Sequence, residues 1–396
     1  MSVNGIISIL YSSMDRIPEI TYYWGPPLER PFASILNSRQ SKTPTGSEQW
    51  VINTQKATEF IREKSYTCLT SIGMNTWELL VAACSRNNTP QIIVLPDYFE
   101  EDAHRTAEKI SQQFHLDSNI TAFMFFQTDS VLTKPKNTWK QRDRLIIDNT
   151  DKFIPISVRP KGNMDNHLNK IVDSSKIIRD YQTEYNPKKH SRFDTKQLKN
   201  LNPKFISGKW HYLSHWTVTF NGSWPGEDQF DFYCAIMDSR EYYPRSALKS
   251  LERILKQKKI FGTVKYSRRG RSFVSFTALP PARATELMRW HPRKQRHTFE
   301  PYGIAIDTCE AHKIGIKKAI YGDQNTYRNL PEKDKPLFQA VGNKADWSKE
   351  KEFRIIGDLD LNRIDPKKWF AITLNTEEAS SISTKFGIKA YNLSSH

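Results

Sequence analysis

Between residues 66 and 182 the apolar positions change period repeatedly, and the changes spell out alternating elements. Residues 66–72 (YTCLTSI) form a short β-rich apolar run of the kind a buried strand needs. Residues 73–88 switch to helical spacing, with Trp77, Leu80, Val81 and Cys84 on one face and an Asn pair at the end. The alternation continues through a strand over 89–96, an amphipathic helix over 100–116, a strand over 120–128, a helix over 139–150, a strand over 152–158 and a helix over 166–182. Strands alternating with helices predict a mainly parallel sheet covered on both faces. Upstream the pattern fades, and residues 25–31 (GPPLERP) and 38–49 (SRQSKTPTGSEQ) read as loop.

The second half has another texture. Short strands are expected over 209–220, 271–280, 300–307, 314–322, 351–361 and 368–374, with one clear helix over 242–259. That reads as α+β. Residues 183–205 are polar and Lys-rich and read as a linker. The expected organisation is an α/β protein of two domains: a Rossmann-like nucleotide-binding domain over 1–182, the linker over 183–205, and a second domain over 206–396.

Composition supports two real cores, because 38% of the 396 residues are hydrophobic and 12% aromatic. No apolar run of about 18 residues is present, so no membrane span is expected. The first residues lack the basic start and small-residue cleavage site of a secretory signal. Cys68, Cys84, Cys234 and Cys309 are widely spaced without a CxxC pair. A reducing, cytoplasmic setting fits that usage, and no metal site is expected. The formal charge is +16, and residues 256–296 hold twelve Lys or Arg against one acid, Glu286. Such a density attracts phosphates, in a dinucleotide or in nucleic acid, or serves only as a solvated basic face.

In an open parallel sheet, ligands bind beyond the C-terminal strand ends, near helix N-termini. Ser71 and Gly73 stand at such a strand-to-helix turn, where a hydroxyl, a close backbone and free N–H groups could meet a phosphate. Arg142 and Arg144 open a later helix, and Arg159 and Gly162 follow the next strand. The stretch RDRLIIDNTDKFIPISVRPKGNM resembles the superfamily of the DNA-processing protein A family and the lonely-guy enzymes, over about residues 65–180. The resemblance implies a nucleotide-type ligand over Ser71, Gly73, Arg142, Arg144, Arg159 and Gly162. The richer Gly–Gly turn of that superfamily is missing, so a ligand sensor is expected here and not a catalyst.

Three islands mark the second half: His215 and Thr217, then Ser275 and Thr277, then Glu350 and Glu352 in WSKEKEFR. Strand alternation would put Glu350, Glu352 and Arg354 on one face, and would pair His215 with Thr217. This order resembles the ADP-ribosyltransferase superfamily over roughly residues 209–375. The resemblance implies NAD as substrate, Glu352 stabilising the ribose cation, Glu350 orienting the acceptor, His215 and Thr217 gripping the ribose, and Ser275 supporting the site. Tyr212 and Phe276 would stack on a ring, and Arg268, Arg269 and Arg271 would meet the pyrophosphate or a nucleic-acid acceptor.

No HExxH, GxSxG or P-loop pattern competes. The expected protein is therefore an ADP-ribosyltransferase or NAD glycohydrolase regulated by a nucleotide-type ligand, a pairing that by analogy suits a bacterial stress or antiphage effector. The rivals are a non-catalytic single-strand nucleic-acid-binding protein using residues 256–296, and a nucleotide hydrolase acting from the first half. The sequence leaves the acceptor and the oligomeric state open.

Overall fold

The structure is a computed structural model that describes residues 20–97, 100–127, 135–187, 198, 200–206, 210–264, 270–292, 295–341 and 350–394. The chain is α/β and divides into two compact units. The first unit comprises residues 1–190 together with 222–244, and the second comprises residues 191–221 together with 245–396.

The first unit is built on six strands: β1 (Ile20–Trp24), β2 (Phe32–Asn37), β3 (Thr67–Thr70), β4 (Gln91–Asp97), β5 (Thr121–Gln127) and β6 (Lys152–Ser157). Their spatial order is β1-β5-β4-β3-β2-β6, with β1 antiparallel at one edge and the rest parallel. Helices α1 (Gln49–Glu63), α2 (Asn75–Arg86), α3 (Glu100–Phe114) and α4 (Pro135–Asp148) make the crossovers, and the short α5 (Asn163–Leu168) follows β6.

One expectation needs correction here. The stretches 25–31 and 38–48 are loop as expected, while the residues left unread around them hold β1, β2 and α1. Strand β2 is buried at every position, as a central parallel strand must be, but six residues are too few to show a period. Helix α1 buries Asn53, Thr54 and Thr58 beside its apolar positions, which blurs the stripe. Thr54 stays satisfied by donating to the Trp50 carbonyl, and Asn53 by donating to that of Tyr181. The helix expected over 166–182 stops at Leu168. Beyond it the Asp173 side chain accepts from the Ser175 amide and opens a single 3-10 turn, Ser174–Lys176. Such side-chain bonds offer the backbone an alternative to helix.

Residues 222–244 were expected in the second domain. They contribute α6 (Gln229–Asp238) to the first unit, where Phe232, Tyr233, Ile236 and Met237 join its core. Helix α2 explains why: it buries Thr76, Trp77 and the whole run from Leu79 to Cys84, and so has apolar surface on both sides. Tyr233 donates to Glu78 at 2.6 Å, and Arg86 pairs with Asp238 at 2.8 Å. Gly46 is required at this packing, because a Cβ there would lie 2.2 Å from the Ser239 carbonyl oxygen.

The second unit carries β7 (Tyr212–Trp216), α7 (Ala247–Gln257), β8 (Phe273–Thr277), α8 (Pro281–Thr285), β9 (Gly303–Asp307), α9 (Thr308–Lys313), β10 (Lys317–Lys318), β11 (Ile320–Gly322), α10 (Gln324–Asn329), β12 (Phe338–Ala340), β13 (Glu352–Ile356), β14 (Trp369–Thr373), α11 (Thr376–Phe386) and β15 (Ala390–Asn392). Seven strands form one sheet in the order β10-β13-β8-β7-β9-β14-β15, antiparallel except for the last pair, while β11 and β12 form a small parallel pair. One face packs Leu213, Val274, Phe276, Ile304 and Ile355 against Leu251 and Leu255 of α7 and Ile382 of α11. On the other face Ala305, Phe370 and Ile372 meet Phe205, Met288 and Leu393. The end of the expected linker thus belongs to this unit: Phe205 is buried and Leu201 pairs with Ser394.

Candidate functional site

In the first unit the strand order reverses between β2 and β6, where a crevice for ligands is expected. The chain fills that crevice itself. The Ser38 amide donates to the Ser157 carbonyl, the Arg159 amide donates to the Ser38 hydroxyl, and the Gln40 amide side chain donates to the Ser157 hydroxyl. Gln40, Ser41 and Thr45 are buried there. A cavity of about 300 Å³ opens instead at the ends of β3, β4 and β5, where α3 and α4 close over it.

Ser71, Gly73 and Arg142 line this cavity, while Arg144, Arg159 and Gly162 do not. Ser71 is buried and donates its hydroxyl to the Val94 carbonyl at 2.7 Å. Gly73 takes φ +94°, and its N–H donates to the Glu78 carboxylate. Arg142 is buried, donates to the Ile72 carbonyl and to Asp143, and lies over the Trp77 ring. Burial raises the Asp143 carboxyl, against the pull of Arg142. Arg144 pairs with Asp148 on the helix surface, Arg159 is exposed, and Gly162 precedes α5. The six residues expected around one ligand therefore divide into three at the cavity and three elsewhere.

In the second unit the three motif strands are neighbours, in the order β13-β8-β7. Glu352 lies opposite Thr277, which lies opposite Ser214, and Arg354 lies opposite Ser275. Alternation puts these five side chains on one face of the sheet. Ser275 donates its hydroxyl to Glu352 Oε1 at 2.7 Å. Arg354 grips both carboxylate oxygens, Nε to Oε1 at 2.8 Å and Nη2 to Oε2 at 3.0 Å. Arg354 is itself fixed by the Phe338 carbonyl, by Gln339 and by the Phe273 ring. Glu352 thus has its orientation set from two sides, with acceptor capacity remaining on Oε2.

Glu350 does not share the strand, as alternation had suggested. Strand β13 starts at Glu352, and Lys351 takes φ +45°, a left-handed kink that re-aims the preceding residue. Glu350 still feels its neighbour. Burial first, then the Glu352 charge, push its carboxyl up to about 7, with Arg289 opposing. Tyr321 on β11 stands beside the same charge, and its phenol is raised to about 12 by burial and by Glu352. The Ser214 hydroxyl and the Trp216 indole N–H are buried without a hydrogen-bond partner among the described residues.

Other expected members lie apart. His215 faces the opposite side of the sheet, where its ring meets Phe276 at 5.7 Å and Nδ1 lies 2.9 Å from the Ser275 carbonyl oxygen. Burial lowers its pKa, so the imidazole is a neutral packing group. Its neighbour Ser214 pairs with Thr277, so alternation turns the His215 side chain away from Glu352. Thr217 is buried and donates to the Ala247 carbonyl. Tyr212 packs edge-on against Phe370 and tilted against Trp210. Arg271 is exposed, and Arg268 and Arg269 fall outside the described residues.

Sequence reasoning placed Arg354 on the Glu352 face by alternation, as one group that could offset the carboxylates, and left Thr277, Ser214, Tyr321 and Arg289 without a site role. Tyr321 and Arg289 are brought in by long-range pairing, which leaves no local signature. Among the described residues no cluster of His, Cys, Asp and Glu could hold a metal, and no helix is long and apolar enough to cross a membrane. Compared with protein-family models the sequence matches none, and no curated protein matches it.

Proposed function

We propose that the second unit cleaves the nicotinamide–ribose bond of NAD at the Glu350–Glu352 centre, and that it transfers ADP-ribose to an acceptor or to water. The observation that carries this reading is the fixed carboxylate of Glu352, held by Ser275 and by both arms of Arg354, with a second carboxyl beside it. The first unit is the regulatory half, answering to a nucleotide-type ligand.

As the C1′–N bond breaks, its electron pair leaves with the ring and gives neutral nicotinamide. The ribose becomes cationic, and a preorganised carboxylate stabilises charge where it develops. Glu350, poised near neutrality, takes the proton of the incoming nucleophile as the new C1′–O bond forms. The buried Ser214 and Trp216 donors offer hydrogen bonds to substrate oxygens on the same face. His215 and Thr217 have no part in this scheme.

The test is mass spectrometry of NAD after incubation with the purified full-length protein. Wild type should release nicotinamide, and Glu352→Gln should lower the rate by about 10²–10³-fold with unchanged thermal unfolding. Ser275→Ala, which removes one support of the carboxylate, should give a smaller loss. No nicotinamide from wild type, or equal release from Glu352→Gln, overturns the reading.

A further inference from the structure

We propose that the Glu78 carboxylate, held between the Gly73 N–H and the Tyr233 hydroxyl, couples the cavity at the ends of β3, β4 and β5 to the second unit. A ligand that takes the Gly73 N–H releases Glu78, loosens residues 222–244 and so changes the activity of the second unit. The inference rests on the regulatory reading of the first unit and names the device that carries it.

The cavity end of this relay is the turn before α2. Ser71, Ile72 and Gly73 all line the cavity. The Ser71 hydroxyl donates to the Val94 carbonyl at 2.7 Å, and the Ile72 carbonyl accepts from Arg142 at 3.0 Å. The Gly73 N–H reaches Glu78 Oε1 at 3.2 Å, the longest of the three bonds, and Gly73 is exposed. It is therefore the easiest of the three to replace, and a ligand that offers an acceptor oxygen replaces it.

The other end is α6. Glu78 Oε2 accepts from the Tyr233 hydroxyl at 2.6 Å. Burial first, then the Glu78 charge, hold the Tyr233 phenol well above its ordinary value, so it remains a donor. Tyr233 is buried in the first core together with Phe232 and Ile236. One carboxylate thus ties the cavity turn to α6 through its two oxygens, and bonds that share a group respond to each other.

The chain itself carries the effect onward. Residues 222–244 leave the second unit after Asn221 and return to it at Arg245. Inside the second unit these two crossing points are pinned to each other, because the Phe220 N–H donates to the Arg245 carbonyl at 2.8 Å. Two further bonds fix this neck to the end of β7. The Thr217 hydroxyl donates to the Ala247 carbonyl at 2.8 Å, and the Ser250 hydroxyl donates to the Val218 carbonyl at 3.3 Å. Strand β7 carries Ser214, which stands opposite Thr277, itself opposite Glu352. A displacement of α6 therefore acts on the strand beside the Glu350–Glu352 centre.

Hydrogen exchange read by mass spectrometry on the full-length protein, without NAD, tests the relay, with Gly73→Ala as the perturbation at the cavity. Gly73 takes φ +94°, which an L side chain adopts only with strain, and no atom lies within 4 Å of the added Cβ, so the turn shifts without a clash. Exchange over α6 should rise by at least about threefold, as for directly coupled residues, while exchange over α1 stays unchanged. Glu78→Ala removes both bonds at a half-buried position and should raise exchange over α6 by itself. In the Glu78→Ala and Tyr233→Phe backgrounds, adding Gly73→Ala should produce no further rise. With NAD present, Gly73→Ala should change nicotinamide release by at least about threefold, and Tyr233→Phe should cancel most of that change. Unchanged exchange over α6 in Gly73→Ala and Glu78→Ala, a rise shared equally with α1, or an undiminished further rise in the two backgrounds overturns the relay. Unchanged nicotinamide release from Gly73→Ala overturns its effect on the second unit. Exchange requires no cleavage of NAD, so a wild type that releases no nicotinamide defeats the catalytic reading and leaves exchange alone to decide the relay.

Discussion

Each unit of this protein buries an arginine against a carboxylate, and the two arginines do different work. Arg142 pairs with its own neighbour Asp143 and ties α4 to the end of β3 through the Ile72 carbonyl. Its charge is consumed locally, beside a cavity whose lining includes Ile72, Leu95, Pro96 and Phe125. Arg354 pairs with Glu352 two residues earlier on the same strand face, and is anchored from β12 through Phe338 and Gln339. There the arginine holds a carboxylate in a fixed orientation on the sheet face, beside Ser275. The contrast teaches that a buried Arg–carboxylate pair says little by itself. What matters is whether the pair closes a loop or holds one member out towards an open position.

The contrast can be broken most severely at Arg354. Arg354→Ala strands Glu352 without its cation, and removing one partner of a buried pair costs about 3–5 kcal/mol. Chemical denaturation should show that loss, and nicotinamide release should vanish with it. Stable folding with full release would mean that Arg354 positions nothing.

A smaller effect is expected in the first unit at Gly46. An added Cβ would meet the Ser239 carbonyl oxygen at 2.2 Å, so Gly46→Ala must displace residues 222–244 or the loop before α1. Overpacking of that kind costs about 1–3 kcal/mol. Thermal unfolding should fall accordingly, and an unchanged midpoint would show that the insertion is loosely held.

A pH dependence follows from Glu350. Its carboxyl is raised from 4.5 to about 7, so between those values the native state keeps a proton that the unfolded chain has released. Its contribution to stability is complete below the unfolded value and is lost as pH rises through about 7. Glu350→Gln should therefore unfold later than wild type above pH 7 and match it near pH 4. It should also flatten the rise of nicotinamide release across neutrality. Parallel wild-type and variant profiles would remove Glu350 from the proton path. The smallest change is expected at His215, on the far face of the sheet. His215→Asn should alter nicotinamide release less than Ser275→Ala does, because His215 touches only the Ser275 backbone carbonyl and not the hydroxyl that holds Glu352. A loss comparable to that of Glu352→Gln would return the imidazole to the centre.

The sequence by itself determined the alternation of β3 to β6 with α2, α3 and α4, because buried parallel strands and amphipathic crossovers each impose a local period. It also singled out the Ser275, Glu350 and Glu352 islands, since short polar runs inside strand-like segments are visible without a fold. Only the tertiary structure decided the rest. Residues 222–244 join the first unit because α2 has a second apolar side that no local pattern connects to Phe232 and Tyr233. His215 is turned from Glu352 because the register of β7 on β8 sets which face each side chain takes, and register is a long-range property. The kink at Lys351 and the anchoring of Arg354 by β12 likewise arise from pairing between distant segments, where free energy depends on contacts the linear pattern does not contain.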